Sequence, residues 1–189
     1  MKNFILASAS PRRSAILSQI KIPFRVEPSK FEEVAGDLEP EDRPQKFAEG
    51  KALDVSKKFP EEYVLGYDTL VYLDGDALGK PKDKADAVAM LKYLNGKRHK
   101  VISGVAIARG GKVISSARVV TDVVFRHVTD AFIENYVESG ESLDKAGAYA
   151  IQGLGASLVK SIHGCYYNVV GLPVAKTLDL IDRLGDENV

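Results

Sequence analysis

The chain has no tryptophan, two methionines and one cysteine, Cys165, among its 189 residues. A lone thiol excludes an internal disulfide and leaves no thiolate pair for a zinc site. The three histidines, His99, His127 and His163, lack zinc-motif spacing and read as ordinary surface or interface residues. Any metal the chain uses must be held by oxygen. Charge of one sign is missing too: 26 basic residues balance 26 acidic ones. No overall field draws the chain to nucleic acid or to an anionic membrane, and no basic stripe interleaved with aromatics supplies a local one. Phosphate affinity has to be local. No apolar run is long enough to cross a bilayer, and Met1-Lys2-Asn3 leads into a strand-like run without a signal peptide, so a cytoplasmic protein is expected. The common phosphate loops, G-x-x-x-x-G-K-[ST] and a G-x-G-x-x-G opening a helix after a strand, are absent.

What is present is a soluble composition, 45% hydrophobic and 28% charged, on a chain long enough for one domain or one domain of two lobes. Periodicity predicts a strand over Asn3 to Ala7, a helix over Pro11 to Ile20 and a strand over Phe24 to Glu27. A polar connection, Pro28 to Asp42, leads to a helix from about Pro44 to Phe59. Tyr63 to Leu73 is apolar on both alternating faces, as in a central strand, and Asp74-Gly75 signals a hairpin. A helix over Ala85 to Leu94 stops at Asn95-Gly96, and strands over Lys100 to Ala108 and Lys112 to Arg126 should pair antiparallel. A helix over Asp130 to Glu138, a glycine-rich stretch from Gly147 to Gly155, strands near Leu158 to Ile162 and Tyr166 to Val170, and a final helix from Pro173 complete the reading. The class is α/β, a mixed central sheet flanked by helices.

The residues that could carry chemistry begin with Ser8-Ala9-Ser10-Pro11-Arg12-Arg13. Ser10 suits an N-cap and Pro11 the first helical position. Arg12 and Arg13 then sit at the positive end of the helix dipole, where each cation opposes the field by about 0.3–1 kcal/mol. A bound phosphate would relieve that conflict, with helix amides, hydroxyls and planar guanidinium forks as donors; the alternative is a capped helix whose arginines face solvent or pair with Glu residues. Asp68 lies inside an apolar strand run, where an ionised carboxylate needs a metal, a cationic partner or a base role, or else caps amides at a bulge near Gly66. Lys51, Lys80 and the pair Glu32-Glu33 are each ordinary alone. Together with the arginines and Asp68 they form the inventory of phosphoryl chemistry, cations for spread oxyanion charge and carboxylates for a divalent ion. In the run Asp144 to Gly155, the Gln152 amide matches a pyrimidine imide, accepting from N3–H and donating to O4, although it could instead bridge loop backbone.

Taken together, Leu6-Ala7-Ser8-Ala9-Ser10-Pro11-Arg12-Arg13, Gly66-Tyr67-Asp68-Thr69, Leu78-Gly79-Lys80-Pro81, Asp144-Lys145-Ala146-Gly147-Ala148-Tyr149 and Gly171-Leu172-Pro173 resemble the Maf-like nucleoside triphosphate pyrophosphatases, essentially end to end. The resemblance implies hydrolysis of a nucleoside triphosphate to monophosphate and pyrophosphate in nucleotide-pool house-cleaning. It implies a divalent cation, Mg2+ or Mn2+, and two lobes around a cleft, similar to the inosine triphosphate pyrophosphatase-like fold. A homodimer is implied as well, and the balanced charge and lack of a long apolar run predict no nucleic-acid or membrane partner. Motif matching puts the catalytic roles on Asp68, Lys80 and Arg12. Phosphate and substrate contacts fall on Ser8, Ser10, Arg13 and Lys51, and the metal falls on Glu33, with Glu32 as the register alternative, and Asp68. The Gly-Ala-Tyr-Ala-Ile-Gln-Gly form of the late segment looks like the branch acting on dTTP and UTP, with Thr69 and Gln152 as specificity residues. Tyr67 stands where the family commonly has alanine and would narrow the pocket. A non-catalytic nucleotide-binding regulator of septum formation and cell division is the alternative.

Overall fold

The computed structural model describes residues 2–185. In chain order the elements are β1 (Phe4–Leu6), α1 (Pro11–Gln19), β2 (Phe24–Val26), α2 (Arg43–Ser56), β3 (Tyr63–Leu73), β4 (Asp76–Leu78) and α3 (Lys84–Leu94). They continue as β5 (Arg98–Arg109), β6 (Lys112–Phe125), α4 (Asp130–Glu138), β7 (Val159–His163), α5 (Tyr166–Val170) and α6 (Val174–Asp182). The strands form one seven-stranded mixed sheet in the order β2-β1-β3-β5-β6-β7, with β4 on β3. β1 runs parallel to both neighbours, Phe4 opposite Phe24 and Tyr63, whereas β4 and β7 pair antiparallel. The expected α/β class with a mixed sheet is therefore what the chain adopts.

The described residues divide into two compact units, 2–68, 103–119 and 171–185, and 69–102 and 120–170, so β3, β5 and β6 each contribute to both. In the first unit Ile5, Ala7, Ala48, Ala52, Val55, Val64, Ala106 and Ala108 form a buried cluster. The preponderance of alanine lets α2 come close to the strands. Gly66 of β3 faces Ala48 and Ala52, and Gly104 of β5 faces Pro44 and Gln45, with no room for a Cβ at either position. In the second unit the core is larger-grained: Val71, Leu91, Leu94, Phe125, Ile133, Tyr136 and Tyr149 pack together.

The hairpin at Asp74-Gly75 forms as expected. Leu73 pairs with Asp76, and both turn residues are left-handed, at φ 53° and 92°. The segment Tyr166–Val170, expected as a strand, is helical. Its β-favouring residue types are overruled by hydrogen bonds behind it. The buried Asn168 donates from Nδ2 to Val101 O (3.0 Å) and Thr121 Oγ1 (2.9 Å), and Thr121 also brackets Cys165, accepting from its N and donating to its O. The glycine-rich stretch is not featureless, since it holds two short 3-10 segments, Ala146–Ala148 and Gly153–Leu158. His99, expected at a surface or interface, is only 2% exposed. Alternation along β5 sends it inward, between the outward-facing Arg98 and Lys100.

Candidate active site

In the first unit, the end of β1 lies beside the body of β3, Ala7 N donating to Leu65 O at 2.9 Å. That adjacency brings the turn Ser8–Arg13 next to Asp68. Ser10 has the extended backbone of an N-cap, φ −69° and ψ 117°, but its side chain makes no capping bond. Ser8 serves instead: its Oγ accepts from Ser10 N (3.2 Å) and from Arg13 Nη1 (2.9 Å). Arg13 also donates from Nε to Gly171 O (3.0 Å) and lies 5.8 Å from the Tyr67 ring centroid. Burial pulls the Arg13 pKa down, opposed by Asp68, and the guanidinium stays charged at any working pH. Two of its donors are thus spent on shaping the turn. Arg12, partly buried one residue earlier, is close enough for its charge to act on Arg13.

Asp68 is 6% exposed. Its Oδ1 accepts from Lys51 Nζ at 2.7 Å, and the same ammonium meets Glu33 Oε1 at 2.5 Å. Asp68 Oδ2 is buried with no hydrogen-bond partner. Burial raises the Asp68 pKa, and the Glu33 charge adds to it, against the pull of Lys51 and Arg13. One cation therefore bridges two carboxylates, and a carboxylate oxygen beside it is unspent. Tyr67 and Asp68 point to opposite faces of β3. The Tyr67 ring is fully buried, with its hydroxyl 3.2 Å from Thr177 Oγ1, so its bulk is absorbed in the core.

Lys80, Thr69 and Gln152 belong to the second unit. The β3–β4 register, Val71 opposite Leu78, carries Gly79-Lys80 back toward the Thr69 end of β3. Gly147 N donates to Gly79 O at 3.0 Å, tying that turn to the late segment. Lys80 is exposed and Thr69 half-buried. Gln152 is the N-cap of the 3-10 segment Gly153–Leu158 but makes no capping bond. Glu141 does so in its place, its two carboxylate oxygens accepting from Leu154 N (3.1 Å) and Gly155 N (3.3 Å). Tyr136 OH accepts from Ala150 N (3.2 Å), and His99 Nε2 lies 2.8 Å from Tyr149 OH, inside an edge-to-face trio with Phe125. Burial depresses His99 to about 4.

Glu141, Tyr136 and His99 were not among the residues that the sequence pointed to. A carboxylate that caps amides 13 and 14 positions away leaves no local pattern to read. Among the described residues no three His, Cys, Asp or Glu side chains group as a metal site, and no helix is long and apolar enough to cross a membrane.

A family model described as "Maf-like protein" matches residues 3–184. The chain is 43% identical to a dTTP/UTP pyrophosphatase of Ruminiclostridium cellulolyticum, covering 99% of this chain and 98% of that protein. It is 46% identical to one of Pyrococcus furiosus over 96% of this chain and 95% of that protein. The match to a dTTP/UTP pyrophosphatase of a Geobacter species is 47% identical over 98% of each. Among solved structures, the Staphylococcus aureus Ham1 protein aligns with a TM-score of 0.49 at 14% identity, covering 84% of this chain and 80% of that one.

Proposed function

The chain belongs to the Maf-like protein family, and from that premise we propose that it is a hydrolase that splits dTTP and UTP into the monophosphate and pyrophosphate, clearing the nucleotide pool. The observation that carries the reading is Lys51 set between Asp68 and Glu33, with Asp68 Oδ2 unpartnered beside an arginine-bearing helix start.

In this reading Arg12, Lys51, Lys80 and the first amides of α1 hold the triphosphate oxyanions, and Ser8, Ser10 and Arg13 shape and line that end. Asp68 orients or deprotonates the water that attacks the α-phosphorus, and pyrophosphate leaves once cations offset its charge. The raised Asp68 pKa suits a group that takes up a proton. Two carboxylates, one with a spare oxygen, fit a hard divalent cation such as Mg2+ or Mn2+. Such an ion takes few protein ligands and completes its shell with water and phosphate oxygens. Asp68 and Glu33 would hold it, and it would supply further neutralisation of phosphate charge. Thr69 and Gln152 face the base, the exposed Gln152 amide accepting from N3–H and donating to O4; cytosine reverses that pattern. A cytoplasmic homodimer belongs to the same reading, and light scattering on the purified chain tests the assembly.

A panel of dTTP, UTP, dCTP and dGTP with Mg2+, quantifying monophosphate, pyrophosphate and orthophosphate, tests the function. Equimolar monophosphate and pyrophosphate, fastest for dTTP and UTP, is the expected result. Orthophosphate would make the chain a phosphatase, and nucleotide bound without any product would make it a regulator.

A further inference from the structure

Glu33 reaches Lys51 from a stretch, residues 27–39, that has neither helix nor strand. Something else must hold the carboxylate in place. The anchors lie on α2. Asp54 Oδ2 accepts from Ser29 Oγ (2.9 Å) and Lys30 N (2.8 Å), and Ser29 Oγ in turn accepts from Phe31 N (3.0 Å). The Phe31 ring lies directly on the bare Cα of Gly50, where a Cβ would collide with three ring carbons. The same ring sits 6.4 Å from that of Phe47, tilted by 53°.

Phe47, Gly50, Lys51 and Asp54 recur at three- and four-residue spacing, so they form one stripe of α2. The helix that supplies the bridging ammonium thus also supplies every anchor named for the segment opposite. Gly50 is a poor helix former in the interior of a helix, and the three atoms nearest to where its Cβ would stand are all ring carbons of Phe31.

We propose that this stripe is a latch, with Gly50 and Asp54 as positioning residues that set the Glu33 carboxylate against Lys51 for binding of the divalent cation and phosphate. The inference rests on the reading of Glu33 given above. The Phe31 ring sits at the end of a side chain that can swing aside, so Gly50→Ala should unseat it without harming α2.

The test compares native protein with Gly50→Ala, Asp54→Ala and Gly50→Ala/Asp54→Ala. Trypsin cleavage after Lys30, in the absence of nucleotide and metal, should accelerate in all three. The Tm of Gly50→Ala should be unchanged or higher, since alanine favours the helix. The Mg2+ concentration for half-maximal dTTP hydrolysis should rise by about tenfold or more, and the double variant should lose little beyond either single one, because both open the same latch. Native cleavage rate and native Mg2+ dependence in Gly50→Ala would overturn the proposal, as would a parallel fall of Tm and activity, which marks a merely structural residue. Glu33→Gln keeps the two ideas apart. If it hydrolyses dTTP as native protein does, the role given to Glu33 fails, while faster cleavage after Lys30 in Gly50→Ala would still show the latch.

Discussion

The two units solve the same problem, holding polar side chains still around a packed core, by opposite means. The first packs alanines and bare glycines under α2 and fixes its polar groups through charged side chains, Lys51 between the carboxylates of Glu33 and Asp68 and Arg13 on the neutral oxygens of Ser8 and Gly171. The second packs aromatic rings and fixes its segment by neutral or capping hydrogen bonds, His99 to Tyr149, Tyr136 to Ala150 and Glu141 to the amides of Leu154 and Gly155. Charges at short range supply strong, salt-resistant fields suited to oxyanions. Capping bonds supply shape, and with Glu141 doing the capping the Gln152 amide is left for the base contact proposed above. Catalysis and recognition should therefore respond differently to mutation.

The largest effect should come from Asp68→Asn in the charged unit. It keeps size but removes the charge, so turnover should fall by about 10^2–10^4-fold, while calorimetry finds the fold intact because Lys51 keeps Glu33 as its counter-charge and the Asn amide oxygen can still accept from it. Near-native pyrophosphate release would erase the contrast between the units. The next effect belongs to the aromatic unit and involves no catalysis. His99 is held neutral down to about 4, below its unfolded value near 6.5, so the unfolded chain binds a proton that the folded chain refuses. Stability is undiminished above pH 6.5 and is lost as pH falls from there toward 4, by about 3 kcal/mol in all. Urea unfolding at several pH values should show that slope, and His99→Gln should flatten it. The smallest effect is in recognition. Glu141→Ala removes the cap beneath Gln152, so the preference for dTTP over dCTP should drop by about fivefold, the equivalent of about 1 kcal/mol for a lost cap. Gln152→Ala should lose at least as much, and an equal loss on every nucleotide in either variant would show that the amide does not read the base.

Legibility followed the range of the interactions. The helix Asp130–Glu138 and the Asp74-Gly75 turn were readable because their determinants are local: periodicity in one case, two left-handed residues in the other. Asp68 was readable because a carboxylate in an apolar run conflicts with its surroundings. Tyr166–Val170 reads as a strand and folds as a helix because Thr121 and Val101, far away in sequence, bond to its Asn168. Ser8 and Ser10 were recognised as a pair, yet the capping work fell to Ser8, whose hydroxyl faces Arg13. Only the family resemblance separates Glu33 from its neighbour Glu32. Its anchor Asp54 lies 24 residues from Lys30, and no spacing rule links them.

The separation between Lys51 and Asp68 is set in part by what Gly66 and Gly104 lack. A methyl group at either site would push α2 outward, lengthening an ion pair to which neither glycine contributes an atom. A saturation library scored for turnover should therefore record two blank positions as intolerant, and an engineer seeking variants should treat those absences as part of the proposed site.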